Sequence, residues 1–289
     1  MTAIVVEATR AGVVEARHLV HAIAVQDGRV VEVAGDATLV TFFRSCAKPL
    51  QALPLVCARP DLDEAEVAIA CASHLHRPEQ LAPVLSLLAR AAATEDDLEC
   101  GPEPTRLEHN CSGKHAGMLL LCRERGWTRD GYRLPGHPCQ HAMLVEVVGA
   151  TGVHQSGIPT SADGCGVVTY ALTLERMAHA YSRLEQLEGG RRVAEAMRAQ
   201  PELIRGPGEA DTELMRLGGW TAKGGAEGLL CAVSTDRVGV VVKVEDGAVR
   251  AVRPALAAFL ARLGLDAGGL GEALVVNSRG EVVGELRGR

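Results

Sequence analysis

The segment "RSCAKPLQ", residues 44–51, places a serine three positions before a lysine and follows that lysine with a proline. In a helix, residues i and i+3 share a face, so Ser45 Oγ and the Lys48 amine can lie within hydrogen-bond reach. Because Pro49 has no N–H, it fits only the first turn of a helix. The spacing therefore predicts Ser45 at a helix mouth, where the dipole favours an alkoxide or oxyanion. This setting suits a nucleophile, although a capping serine followed by a surface lysine has the same pattern.

Two regions of strand pattern surround this segment and the long helical region that follows it. Residues 1–40 alternate apolar and polar positions around Asp27-Gly28, which predicts a hairpin. From about residue 48 to 200 the apolar spacing is helical, for example in "EQLAPVLSLLARAAA" and "VVTYALTLERMAHAYSRL". After Lys223 the strand pattern returns, with a helix at "PALAAFLARLG" and a last hairpin at "ALVVNSRGEVVGEL".

These patterns predict an α/β (α+β) fold with one antiparallel sheet built from both termini and a mainly helical region inserted between its halves. We expect a single catalytic unit over residues 1–289. Its sheet subdomain should comprise residues 1–45 and 221–289, and its helical subdomain residues 46–220. A cleft between the two parts is the expected place for chemistry.

Composition narrows the classes of function. The 289 residues are 47% apolar and 23% charged with a net charge of −6, which is typical of a globular protein and argues against nucleic acid as a partner. Aromatic residues make up only 3%, so base- or sugar-stacking surfaces are not expected. Nine cysteines, several in apolar stretches, do not suggest a disulfide framework. The start "MTAIVVEATRAG" has no signal-peptide pattern and no run is apolar enough to span a membrane, so we expect a cytoplasmic protein.

A second serine and a second lysine lie in segments with polar or glycine-rich surroundings. Ser73 follows an apolar stretch in "IACASHLH", and Lys223 precedes two glycines in "WTAKGGAEGLL". Taken alone, they are a helix cap and a turn lysine. Together with Ser45 and Lys48, they are similar to the motif set of serine penicillin-binding proteins and β-lactamases.

Two loops concentrate metal-binding side chains. The segment "EHNCSGKHAG" brings His109, Cys111, Lys114 and His115 to a helix start, and "SADGCGVV" offers Asp163 and Cys165 between glycines. Separated cysteines with nitrogen donors are compatible with zinc, but neither segment has the C-x-x-C spacing of a structural finger, and packed reduced thiols remain an alternative. His74 and His76 flank Ser73 and can tune it. The remaining histidines without a readable partner are expected to be structural: His18, His21, His137, His141, His154 and His179.

The chain resembles the Rhizobium-type (class 3) L-asparaginase family, also called asparaginase II-like, over nearly its whole length. The segments that carry the resemblance occur in the family's order: "RSCAKPLQALPLV", "ACASHLHRPEQ", "CGPEPTRLEHNCSGKHAGML", "GHPCQHAML", "DGCGVVTYAL" and "AKGGAEGLL". The resemblance implies the fold of serine β-lactamases, penicillin-binding proteins and glutaminases, a homodimer, and hydrolysis of L-asparagine to L-aspartate and ammonia.

The same resemblance assigns roles to residues of this sequence. It implies two serine-lysine tandems, Ser45 with Lys48 and Ser73 with Lys223. It also implies one zinc per chain, held by Cys111, Lys114, Cys165 and a water. Contacts to the substrate are expected from Arg44, His115 and Asp163, with Asp163 on the α-ammonium.

The residues favour acyl transfer on a side-chain amide. In this interpretation neutral Lys48 takes the Ser45 proton, the alkoxide attacks the amide carbon, and N–H groups at the helix mouth bind the oxyanion. A lysine acts as a base only if its pKa falls from about 10.4. Spacing does not decide which serine forms the acyl-enzyme. Glutaminase or broader amidohydrolase activity, and a non-catalytic zinc- or amino-acid-binding protein, remain alternatives.

Overall fold

The computed structural model describes residues 2–102 and 104–289. Its strands, in chain order, are β1 (Ile4–Arg10), β2 (Val13–Gln26), β3 (Arg29–Ala34), β4 (Val40–Phe42), β5 (Thr160–Ala162), β6 (Val168–Thr173), β7 (Trp220–Gly224), β8 (Leu229–Ser234), β9 (Gly239–Val244), β10 (Ala273–Val276) and β11 (Val282–Gly288). Its α-helices are α1 (Lys48–Gln51), α2 (Leu53–Ala58), α3 (Glu64–Ala70), α4 (Pro78–Arg90), α5 (Ser112–Arg125), α6 (Pro138–Thr151), α7 (Leu174–Ser182), α8 (Gly190–Ala199), α9 (Pro201–Ile204), α10 (Ala210–Arg216) and α11 (Val252–Arg262). Almost all helices lie between β4 and β7, so the mixed fold class expected from the sequence is confirmed.

One antiparallel sheet joins the two ends of the chain. Its order is β10-β11-β1-β2-β9-β8-β7, and β3 pairs with the second half of the long strand β2. The register of β1 against β11 runs from Val6 opposite Gly288 to Arg10 opposite Gly284. Asp27 and Gly28, both with positive φ, form the predicted turn between β2 and β3. The prediction of one sheet built from both termini is therefore confirmed.

Helices α7 and α11 cover opposite faces of this sheet. A Cβ on Gly239 would overlap the backbone of α7, and a Cβ on Gly288 would overlap the backbone of α11. The strand register places these two glycines on opposite faces, because Gly239 pairs with Val25 and Gly288 pairs through Val6 with His18. Both faces of the central strands are consequently buried, and one continuous apolar core extends from the sheet into the helical region.

The helical region also contains a small sheet that the sequence pattern does not indicate. Strands β4, β6 and β5 pair antiparallel in that order. The apolar spacing of "VVTYALTLERMAHAYSRL" predicts helix throughout, but Val168–Thr173 is a strand and the helix begins only after Thr173, whose side chain caps it. A short, continuous apolar run fits a buried strand as well as a helix, so periodicity does not separate the two.

The predicted division into subdomains stays a prediction. Helix α7 belongs to the expected helical part by sequence, yet it packs against β2, β8 and β9 of the large sheet.

None of the described helices combines the length and the apolar character needed to cross a membrane.

Candidate active site

Ser45 lies in a 3-10 turn, Arg44–Ala47, that leads directly into α1. Pro49 occupies the first turn of α1, as the pattern predicts. Arg44 has a left-handed backbone with φ +50°, which is uncommon for a residue with a side chain. Its N–H donates to Thr169 Oγ1 at 3.1 Å. Strand β6 thus holds the turn that fixes Ser45 at the start of α1.

Lys48 is fully buried and donates to the second serine. Its Nζ lies 2.9 Å from Ser73 Oγ and 3.2 Å from Cys111 Sγ, and it also donates to the carbonyl of Ala72. Burial lowers the pKa of Lys48 to about 8. Lys48 therefore bonds the serine of the other expected tandem, while Ser45 Oγ has no hydrogen bond to any residue that the structure describes.

Lys223 lies on β7 and is also fully buried. The register places it on the sheet face covered by α7, directed towards the helical region. Its Nζ donates to the carbonyl of Gly224 at 2.6 Å and lies 3.5 Å from Asp211 Oδ2. Asp211 Oδ2 in turn accepts the Gly224 N–H at 2.7 Å. No hydrogen bond from Lys223 to Ser73 occurs among the described residues.

Both serines line a cavity of about 540 Å³. Asn110 and the two glycines after Lys223 also line this cavity. A Cβ on Gly225 would come within 3.0 Å of Cys46 Sγ, so only glycine fits there without displacing its neighbour. The cavity gives a small ligand access to Ser45 and Ser73.

Two thiols meet behind the serines. Cys111 directly precedes α5, Cys165 lies in the loop between β5 and β6, and their side chains are hydrogen-bonding neighbours. The hydrogen bond from Cys111, followed by the charge of Lys114, lowers the pKa of Cys165 strongly. The same bond and burial raise the pKa of Cys111. Lys114 Nζ lies 3.3 Å from Cys165 Sγ. Burial alone would lower the pKa of Lys114, but the negative charges of Cys165, Cys111 and Asp163 together outweigh it and raise the pKa.

This cluster has donor chemistry that fits zinc. Thiolate sulfur and amine nitrogen are both suitable for Zn²⁺, and Cys111, Lys114 and Cys165 supply them from one place. Within residues 2–102 and 104–289, no three His, Cys, Asp or Glu side chains form a group that could hold a metal. A zinc here therefore requires Lys114 as the third protein ligand, and Lys114 must lose its proton to bind.

The residues expected to bind substrate surround the thiols instead of lining the cavity. Arg44 Nε and Asp163 Oδ1 form an ion pair of 2.6 Å, and Asp163 also accepts the Gly164 N–H. His115 is fully buried, with Nδ1 2.7 Å from Tyr132 OH, and its Nε2 has no hydrogen-bond partner among the described residues. The structure brings these three side chains to the zinc-compatible cluster.

The histidines beside Ser73 contact other groups. His74 Nδ1 accepts the backbone N–H of His76, so Nε2 carries the proton that it donates to Ser112 Oγ at 2.9 Å. Burial lowers the pKa of His74 to about 3, which keeps the ring neutral. Most of the histidines expected to be structural have such roles: His18 and His21 pair with carboxylates, and His137 and His154 cap helices.

Comparison with known proteins identifies the family. The sequence profile described as L-asparaginase II matches residues 6–288. The chain belongs to the L-asparaginase II family. This membership supports an asparaginase-type amidohydrolase activity. It also confirms the resemblance to this family that the sequence segments carry. No curated protein matches the chain.

Solved structures similar to this L-asparaginase II family member include two β-lactamases. One from Mycobacterium bovis has a TM-score of 0.49 and 15% identity, covering 85% of this chain and 95% of its own. Another, from Desulfarculus baarsii, has a TM-score of 0.36 and 15% identity, covering 78% and 82%.

Sequence reasoning missed several residues of the family member's site. Asp211 contacts Lys223, Tyr132 contacts His115, and Arg205 lies beside Ser73. Asp211 and Arg205 stand in "IRGPGEADTELMR", which has no motif that distinguishes them from surface charges. Asp211 and Arg205 line the same cavity as the two serines only because elements that are distant in sequence pack together in the fold.

Proposed function

We propose that this protein is an L-asparaginase that hydrolyses L-asparagine to L-aspartate and ammonia through a covalent acyl-enzyme. The observation that carries the proposal is the buried Lys48, hydrogen-bonded to Ser73 in the wall of a cavity that Ser45 also lines. Membership of the L-asparaginase II family supplies the reaction class, hydrolysis of an amide.

The accessible serine is the proposed nucleophile. Ser45 is half-buried, faces the cavity and has an Oγ without a hydrogen bond to the described residues, whereas Ser73 is only 2% exposed. Ser45 Oγ attacks the side-chain amide carbon when bound substrate brings its hydroxyl within hydrogen-bond reach of Ser73, which accepts the Ser45 proton and passes its own to neutral Lys48. Backbone N–H groups of the turn before α1 stabilise the oxyanion.

Collapse of the tetrahedral intermediate breaks the carbon–nitrogen bond. The nitrogen takes the proton back from Lys48 and leaves as ammonia, which leaves an ester on Ser45. Water then attacks this ester, and its proton follows the same route through Ser73. Aspartate leaves, and both serine hydroxyls are restored. Lys223, held by Asp211, adds a second positive charge beside the glycines that line the cavity.

We also propose zinc at Cys111, Lys114 and Cys165. When bound, zinc would supply a positive charge and a fixed point for the two loops. Arg44, His115 and Asp163 adjoin this cluster, and the expectation that they contact substrate stays a prediction. The homodimer and the cytoplasmic location implied by the resemblance also stay predictions.

The decisive assay measures ammonia release from asparagine, release from glutamine and opening of a β-lactam side by side. We expect asparagine to be the best substrate and Ser45→Ala to lower its turnover by at least about 10³-fold, because the covalent route is lost. Exposed Ser161→Ala is the matched control and should behave as wild type. Faster glutamine turnover would indicate a glutaminase, and asparagine binding without turnover a non-catalytic binding protein.

A second readout identifies the nucleophile. A reactive diazoketone analogue of asparagine should add covalently to the peptide containing Ser45, as detected by mass spectrometry. Labelling of Ser73 instead, or wild-type turnover in folded Ser45→Ala, would remove Ser45 from this role.

A further inference from the structure

No step of the proposed mechanism uses Tyr132, a fully buried residue whose hydroxyl lies 2.7 Å from Nδ1 of His115. The same hydroxyl oxygen lies 2.8 Å from the backbone nitrogen of Glu99 and accepts its N–H. The rings of Tyr132 and His115 meet edge to face, with centroids 5.5 Å apart and planes at 72°. Among the residues that the structure describes, this hydroxyl therefore has two polar neighbours, the Glu99 N–H and the imidazole.

These two neighbours determine where the hydroxyl proton points. A phenol has one proton to donate and lone pairs to accept. The Glu99 N–H can only donate, so His115 Nδ1 is the acceptor that remains for the Tyr132 proton within residues 2–102 and 104–289. Burial raises the pKa of Tyr132, which keeps this proton on the phenol. Nδ1 then offers a lone pair, and the neutral ring carries its own proton on Nε2.

Backbone contacts hold Tyr132 in place. Gln140 Nε2, in α6, donates to the Tyr132 carbonyl at 2.8 Å, and Gln140 is itself buried. The N–H of the preceding Gly131 donates to Glu99 Oε1 at 2.7 Å, so Glu99 binds this loop through its side chain as well as its backbone. A hydroxyl fixed from several sides can select one tautomer of the imidazole beside it.

The other nitrogen of the ring, Nε2, has no acceptor for its proton among the described residues. Buried N–H groups without a partner are uncommon in folded proteins. Cys165 lies close enough to His115 to raise the pKa of the ring against the effect of burial. The unused donor therefore belongs to the surroundings of Cys165, where the family resemblance places the substrate.

The same tautomer limits what His115 can do beside the proposed zinc ligands. An imidazole binds a metal or accepts a proton only through a nitrogen with a free lone pair. In His115 the lone pair of Nδ1 accepts the Tyr132 proton, and Nε2 carries a proton. His115 is therefore neither a metal ligand nor a general base in this arrangement, and only its N–H remains for a ligand.

We propose that Tyr132 is a positioning residue, which fixes His115 in the Nε2–H tautomer and so makes it a hydrogen-bond donor to an oxygen atom of the bound substrate. The identity of that substrate rests on the proposed asparaginase activity. The expected contact between His115 and asparagine is then to a carboxylate or carbonyl oxygen and not to the α-ammonium, which is left to Asp163.

Nitrogen NMR of the full chain reads the tautomer without any turnover. Long-range ¹H–¹⁵N correlations distinguish a protonated from an unprotonated ring nitrogen, and the His115 signals are those lost in His115→Leu. We expect a proton on Nε2 and none on Nδ1, both in chelator-treated protein and after addition of zinc. A proton on Nδ1 would overturn the inference. Loss of the Nε2 proton on zinc addition would also overturn it, because His115 would then be a metal ligand.

Tyr132→Phe removes the hydroxyl and keeps the ring. His115 should then populate both tautomers, and the KM for asparagine should rise roughly 10-fold, as for a lost hydrogen bond, with little change in kcat. Tyr170→Phe is the matched control, because the buried Tyr170 hydroxyl has no partner among the described residues, and it should keep both the KM and the His115 spectrum. An unchanged KM or spectrum in Tyr132→Phe that is folded by circular dichroism would overturn the inference.

A double-mutant cycle separates positioning from a loss of packing. In the His115→Leu background, Tyr132→Phe should not raise the KM further, because no imidazole remains to be oriented. An equal increase in both backgrounds would show that Tyr132 acts through the fold alone and would overturn its positioning role. The wild-type spectra decide on the tautomer even if Tyr132→Phe does not fold or the wild type releases no ammonia, so this inference and the proposed function fail separately.

Discussion

Asp211 and Lys223 form an ion pair that is almost completely removed from solvent, with side-chain exposures of 2% and 0%. Both groups lose hydration on burial, and their mutual attraction compensates only while both are present. Asp211 Oδ2 also accepts the Gly224 N–H, so one carboxylate fixes both the lysine and the glycine that follows it. The pair makes Asp211 a positioning residue for Lys223.

Asp211→Asn should therefore destabilise the protein by about 3–5 kcal/mol, the usual effect of leaving one buried charge without its partner. Urea unfolding followed by circular dichroism measures the change. Adding Lys223→Met to this variant removes the orphaned charge, so the double variant should be more stable than Asp211→Asn alone. If the two substitutions destabilise additively, the pair is not coupled and the positioning role is wrong.

At the scale of residues, a short sequence motif predicts the local setting of the side chains that it contains. Ser45 and Lys48 share one turn, and Pro49 marks its place in the helix, so their setting is readable from eight letters of sequence. The bond between Lys48 and Ser73 is not readable, because it joins α1 to the segment after α3 across 25 positions. Asp211 and Arg205 escape sequence reasoning for the same reason.

At the scale of elements, the start of α5 depends on close contact with α3. Gly113 lies in the first turn of α5, and a Cβ there would overlap the carbonyl oxygen of Ile69 in α3. This approach brings the start of α5 to the segment after α3, where the His74 N–H donates to the Asn110 carbonyl and Lys48 Nζ contacts both Ser73 Oγ and Cys111 Sγ. Glycine at position 113 thus sets the distance between the thiols and the serines.

Gly113→Ala should lower stability and asparagine turnover together, although alanine is the better helix former. The matched control is Gly149→Ala in α6, where a Cβ meets nothing within 4 Å. That variant should gain up to about 1 kcal/mol with unchanged turnover. Thermal unfolding and ammonia release measured on both variants check the expectation. Equal stability and activity in the two variants would show that α3 and α5 need no close approach.

The type of an element is predictable where the apolar pattern of the sequence is compatible with only one of helix and strand. The hairpin at Asp27-Gly28 has alternating strands and a positive-φ turn, so pattern and turn chemistry agree. The prediction of a helix at strand β6 is wrong because β6 runs directly into α7, and both are apolar. Its pairing with β4 and β5 decides its conformation, and such pairing is not encoded in local periodicity.

At the scale of the whole molecule, the site is a junction of distant parts of the chain. Ser45 and Lys48 precede the helical region, Lys223 follows it, and Cys111 and Cys165 lie within it. The small sheet connects them, because β6 holds the Arg44 turn on one side and ends the Cys165 loop on the other. The structure brings these predicted residues together, and the contacts between them come from the pairing of elements that are distant in sequence.

The proposed zinc would connect two of these parts, the start of α5 and the loop between β5 and β6. Purified protein should then carry about one zinc per chain by elemental analysis, and Cys111→Ala or Cys165→Ala should lose most of it. Because zinc binds the folded state, its removal by a chelator should lower the unfolding temperature in the wild type but not in these variants. Exposed Cys57→Ala is the control and should keep both metal and stability. Asparagine turnover should weaken but persist, since in the proposed mechanism serine is the attacking group and the metal would only hold its surroundings. Metal-free protein with full activity and stability, or full zinc content in both cysteine variants, would show that the thiols only pack against each other.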